Sequence, residues 1–145
     1  TDATQVAAGD EHVCVLHDGG TVSCWGENDA YQLGDDTTAS SATPQQVAGL
    51  TNVVQLAAGG TSTCARRSNG EVWCWGTHTR WMNPPFGYIN MASTTATHVL
   101  GVAAATDIAG GVAGACALAA GRVHCMGGNN EERFGLGVLP SVSFP

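Results

Sequence analysis

The chain repeats itself, and that repeat limits its fold more than any other feature. Set against itself at an offset of 50–52 residues it separates into three units, Val6–Gly34, Leu56–Trp81 and Ile108–Gly137. Landmarks recur in register: Cys14, Cys64 and Cys116; Cys24, Cys74 and Cys125; Trp25, Trp75 and Met126; Gly26, Gly76 and Gly127. One such unit cannot bury its own apolar face, so neighbouring units must stack to make a core. We expect a single domain over residues 1–145, with repeats at about 6–55, 56–107 and 108–145.

Each unit reads as a β-hairpin. Ala-Gly opens it, an alternating segment such as Val13-Cys14-Val15-Leu16 follows, and a turn comes next at Asp18-Gly19-Gly20, Ser68-Asn69-Gly70 or Ala119-Ala120-Gly121. A second alternating run, Thr21 to Trp25 in the first unit, completes it. Two period-2 runs around residues that tolerate positive φ are the hairpin signature. Polar and proline-containing stretches such as Thr37–Pro44 read as surface loops.

The six cysteines fall as three pairs, each straddling one hairpin turn. Pairing within the hairpin is the simplest connectivity: Cys14 with Cys24, Cys64 with Cys74, Cys116 with Cys125. Closing so short a loop contributes roughly 2–3 kcal/mol per bridge. Free buried thiols are the alternative; zinc is disfavoured, because no two cysteines stand at the short spacing of structural zinc sites. Bridges imply an oxidising compartment, so the expected setting is extracellular, periplasmic or cell-surface.

Charge narrows the partners. The formal net charge is −7, with no lysine, and eight of the twelve carboxylates precede Arg66. Nucleic acid is excluded as an expected partner, since phosphate binding draws on clustered Lys and Arg. There is no apolar run long enough to span a membrane, and no cofactor or metal is expected. Asp29, Asp35 and Asp36 lack the spacing of a calcium loop, and no nucleophile, base and acid stand together, so the chain is not expected to be an enzyme.

Cys14–Asn28 together with Tyr31-Gln32-Leu33-Gly34 resembles the regulator of chromosome condensation repeat, whose signature runs Ala-Gly-x-x-His to Trp-Gly-x-Asn-x-x-Gly-Gln-Leu-Gly. The second unit keeps Ala58-Gly59 and Cys74-Trp75-Gly76, and the third replaces the tryptophan with Met126. The added cysteines are similar to those of the family's secreted bacterial branch. The resemblance implies an all-β fold of antiparallel propeller-type blades, normally seven, of which three are present. It implies a packing role for His12, while Trp25 and Trp75, at equivalent positions of the repeat, are expected to pack between blades. Three blades leave open edges, so the chain is expected to be a fragment of a larger propeller or an oligomer.

The segment Thr77–His98 breaks the repeat and carries Arg80, Trp81, Met82, Phe86 and Tyr88, residue types enriched in binding hot spots. They are the candidate partner-binding residues, with capping of the domain as the plainer role. The expected function is a non-catalytic extracellular module for protein binding or scaffolding, its partner a protein or further copies of itself. The alternatives are a filament or coat subunit, a secreted enzyme inhibitor and a guanine-nucleotide exchange factor.

Overall fold

Period-2 patterning and turn glycines produce eleven strands over the residues that the computed structural model describes, 2–82, 87–112 and 114–127. β1 (Ala3–Ala8), β2 (His12–His17), β3 (Val22–Gly26) and β4 (Ser41–Gln46) form the first antiparallel sheet in sequence order. β5 (Val53–Gly59), β6 (Ser62–Arg67), β7 (Val72–Met82) and β8 (Gly87–His98) form the second. β9 (Ala105–Gly111), β10 (Gly114–Ala119) and β11 (Arg122–Gly127) form the third among the described residues. The chain is all-β, three meandering antiparallel blades of propeller type without a helix among those residues.

The hairpin register sets the cysteines opposite one another: Cys14 faces Cys24, Cys64 faces Cys74 and Cys116 faces Cys125. Each pair is bridged, with Cα atoms 4.1, 4.1 and 3.9 Å apart. So short a separation belongs to the narrow, non-hydrogen-bonded pairs of an antiparallel ladder.

The core lies between blades rather than within them. One cluster joins Cys14, Leu16, Val22 and Cys24 of the first blade to Val53, Leu56, Ala65 and Trp75 of the second. The other joins Cys64, Val72 and Cys74 of the second to Ile108, Ala115 and Ala117 of the third. The first and second blades thus turn their disulfides toward the blade that follows. The turns tie the same neighbours together: the Gly20 carbonyl accepts from Val53 N–H at 3.0 Å, and the Gly70 carbonyl from Ala105 N–H at 2.9 Å.

The Trp-Gly step has a steric cause. Gly26 and Gly76 hold φ of 113° and 86°, and a Cβ would lie 2.4 Å from the Glu11 carbonyl oxygen or 2.3 Å from that of Thr61. Only glycine lets the adjacent strand pass so close.

Candidate protein-binding site

Two strands outgrow their equivalents. β7 and β8 run 11 and 12 residues, against 5 and 6 for β3 and β4 at the same place in the first blade. Residues 77–98 read as an irregular loop in the sequence; most of them instead continue the β7–β8 ladder, with Thr77 opposite Ala92, Arg80 opposite Ile89, Trp81 opposite Tyr88 and Met82 opposite Gly87. Four of the five candidate residues therefore sit at register positions of one long hairpin, and Phe86 lies outside the described residues. His78 lies on β7 and His98 ends β8.

At the root of this hairpin lies a cluster that sequence reasoning passed over. The His98 ring stacks on Trp73, centroids 5.5 Å apart and planes at 26°, because the β7–β8 register sets the two residues opposite. The Arg67 guanidinium carbon lies 4.7 Å from the Trp73 ring centroid, a cation–π distance. The Trp73 indole N–H donates to Glu71 Oε2 at 3.1 Å, and Arg67 reaches the same oxygen at 3.3 Å. The Trp73 hydrogen bond, then that from Asn69, holds the Glu71 carboxyl below its ordinary range. Trp73, His98 and Arg67 are all half-buried, so the cluster is open to a partner. Its signal was the lack of repetition: Trp73 stands where the other units have Ser23 and His124.

The acidic first blade is built differently. Asn28, fully buried, donates from Nδ2 to Asp35 Oδ1 at 3.1 Å and to the Thr37 carbonyl at 2.9 Å, and accepts from Leu33 N–H at 2.9 Å. Asp35 also receives Thr37 N–H and O–H, so this carboxylate organises its own loop. The Glu27 carboxyl is pushed up, first by its hydrogen bond to Glu11 and then by the charges of Glu11 and Asp29. Among the described residues no three His, Cys, Asp or Glu side chains converge as a metal site.

His12 and Trp75 both work between blades. His12 Nε2 lies 2.7 Å from Thr63 Oγ1, with both residues buried. The Trp75 indole N–H donates 2.8 Å to the Gln32 carbonyl of the first blade. Trp25, at the equivalent position on the first blade, is only half-buried.

Residues 19–66 match one family model and residues 3–32 with 53–80 another, each described as a regulator of chromosome condensation (RCC1) repeat. Together the matches span residues 3–80, more than half of the chain. No curated protein matches it. The crystal structure of Kap60 bound to yeast RCC1 (Prp20) is similar over 98% of this chain, at 22% identity and a TM-score of 0.80. Prp20p from Saccharomyces cerevisiae, described together with its binding to Gsp1p and histones, is similar over 97% at 19% identity and a TM-score of 0.78. Human WBSCR16 is similar over 99% at 22% identity and a TM-score of 0.77. The chain spans 36%, 36% and 37% of the length of these three.

Proposed function

This chain belongs to the regulator of chromosome condensation repeat family, and on that premise we propose that it is a non-catalytic protein-binding or scaffolding module, acting as one unit of three repeats within a larger propeller or assembly outside the cytoplasm. The observation that carries the binding role is the β7–β8 hairpin, which runs six residues per strand past the length of β3 and β4 in the first blade. Thr77, the first of the added residues, still donates to the Ala30 carbonyl of the first blade, and the ladder beyond it is the part we assign to a partner. Its sequence is rich in Arg, Trp, Tyr and Met, the residues that dominate interface energetics. The Arg67–Trp73–His98 stack lies at the root of the same hairpin.

The bridged cysteine pairs support an oxidising setting, since thiols in reducing compartments stay unpaired. The net charge of −7 and the absence of lysine support a protein partner over nucleic acid.

The test places a photo-crosslinking residue at position 88 and compares Arg80→Ala/Trp81→Ala with wild type in partner capture from the surrounding medium. Crosslinks to a discrete protein are expected, with capture by the double variant weakened by about 2 kcal/mol or more and the melting temperature unchanged. Undiminished capture by the folded double variant would remove the hairpin from the interface.

A further inference from the structure

Three polar side chains meet on one side of the first blade. His17 Nδ1 lies 2.8 Å from Asp2 Oδ1, and His17 Nε2 lies 3.1 Å from Ser23 Oγ. Asp2 and Ser23 stand fifteen and six positions from His17, so no sequence motif announces them, and the β1–β2–β3 ladder gathers them. The placement of protons is forced. An ionised carboxylate only accepts, so Nδ1 carries the proton given to Asp2; the neutral ring then accepts at Nε2, and the Ser23 O–H donates to it. The His17 hydrogen bond, then one from the Asp2 backbone, holds the Asp2 carboxyl below its ordinary range and keeps it ionised. A carboxylate that orients an imidazole toward a hydroxyl proton is the relation that makes a serine oxygen nucleophilic.

Backbone holds each member in place. Asp18 N–H donates to the Asp2 carbonyl, and the turn ties His17 twice, its N–H to the Thr21 carbonyl and its carbonyl to Gly20 N–H, all at 2.9 Å. Ser23 faces Val15, two residues from His17, so the ring reaches it diagonally across the strand pair. On the other flank, Gln46 of β4 stands directly opposite Ser23, so both side chains leave the same face of the sheet. The equivalent pair on the second blade, Trp73 and His98, is in ring contact. Gln46 is exposed and brings amide N–H donors to the side of Ser23 away from His17.

The repeat does not require these residues. The second blade has Asn52, Arg67 and Trp73 at the places of Asp2, His17 and Ser23, and the third has Ala104, Ala119 and His124. Nor does a neighbouring blade close the position off: Arg67 and Trp73 stay half-buried although the first blade packs against theirs. Asp2 and His17 keep 62% and 24% of their side-chain surface exposed, and Ser23 is half-buried.

We propose that Ser23 is an activated nucleophile and a site of covalent acylation, with His17 as its general base, Asp2 as the residue that positions the imidazole and Gln46 as the donor to the developing oxyanion. The co-reactant is an activated ester, and the Asp2 charge on an acidic chain favours an uncharged acyl group. Ser23 Oγ forms the new bond to the acyl carbon while its proton passes to His17 Nε2. The bond to the leaving oxygen then breaks with its electron pair, and that oxygen takes the proton from His17. The product is an ordinary serine ester, a poorer acyl donor than the ester that made it, so one acyl group stays on each chain. The module is modified rather than turning over, and the modification is separate from binding through β7–β8.

p-Nitrophenyl acetate is the probe, followed by release of p-nitrophenolate and by peptide mapping. The chain has no lysine, the usual competing acceptor, so one acetyl group per chain is expected, on Ser23. Ser23→Ala should abolish it, and His17→Gln should slow it by about 100-fold or more at an unchanged melting temperature. Gln46→Ala should slow it by about tenfold or more. Asp2→Asn turns the imidazole to the wrong tautomer and should slow acetylation by about tenfold or more, whereas Asp2→Glu, which keeps the carboxylate, should recover most of the rate. A merely structural Asp2 would not separate those two variants, and equal rates for them would overturn the proposal. Acetyl groups spread over other residues with no preference for Ser23 would overturn it too, as would the full rate in folded His17→Gln.

Discussion

The Trp75 indole N–H donates to the Gln32 carbonyl across the boundary between the first two blades, at 2.8 Å. Gly34, two residues on, lies so near that a Cβ there would be 2.8 Å from Trp75 Cδ1. The repeat's tryptophan and the glycine that ends its Gln-Leu-Gly turn are therefore the two halves of one interblade joint, contributed by different blades.

That joint yields the first prediction. Trp75→Phe keeps most of the apolar fill but leaves the buried Gln32 carbonyl unpaired, and should destabilise the chain by about 1–3 kcal/mol. Gly34→Ala should cost at least as much, since its φ of 67° strains any Cβ besides the clash. Urea unfolding curves for both variants check this; wild-type midpoints would refute the joint.

Gln5 of β1 gives a second: its Nε2 donates to the Leu56 carbonyl and its Oε1 accepts from Leu56 N–H, each at 2.8 Å. Gln5→Ala should cost about 1–2 kcal/mol, because Leu56 N–H and C=O lose their partner in a half-buried seam. Gln5→Glu should be worse at neutral pH, where a carboxylate meets the Leu56 carbonyl, and should recover as acid protonates it and restores a donor. Denaturation at pH 7 and pH 4 separates the two variants, and an acid recovery by Gln5→Ala would contradict the explanation.

A third concerns pH. Burial lowers the pKa of His12, with the charge of Asp10 opposing, and Nδ1 has no hydrogen-bond partner among the described residues. The unfolded chain takes up this proton near pH 6.5 and the folded chain only at lower pH. The unfolded state thus binds more protons in that window, so stability present above about pH 6.5 is lost as pH falls toward the folded value. His12→Gln should be less stable than wild type at pH 7.5, yet lose less on going to pH 5. Parallel pH profiles would show that His12 is not the group responsible.

The bridges should differ in accessibility. Cys14, Cys24, Cys64 and Cys74 are all buried under a following blade, whereas Cys116 and Cys125 are half-buried on the open face of the third. Mild reduction followed by alkylation and peptide mapping should label Cys116 and Cys125 first. Labelling of Cys14 and Cys24 ahead of them would contradict the interblade placement of the first two bridges.

Much of this was legible in the sequence because a hairpin is a local object. Alternation in Val13–Leu16 and Thr21–Trp25 around Gly19-Gly20 determines which residues face each other, so the position of Cys14 opposite Cys24 follows from spacing alone. The interblade joints were less legible, since they depend on which way a bulge throws a side chain. Gln5 and Gln55 read as ordinary polar residues, although their recurrence fifty positions apart was a usable signal. The β7–β8 extension was hidden for another reason. Thr77–Met82 lacks the apolar-polar alternation of a half-buried strand, and its pairing is carried by ladder hydrogen bonds that composition does not display. Tyr31 marks a similar limit: at φ 63° it occupies a left-handed position where the repeat signature has glycine.

The central claim is that these are disulfide-stapled blades of an oxidising compartment, and the intact mass of the protein recovered from its source, before and after reduction, tests it most directly. Three bridges predict a gain of about 6 Da on reduction, two hydrogens for each bond broken. An unchanged mass, with all six cysteines alkylated in the unreduced protein, would contradict both the stapled blades and the extracellular role drawn from them.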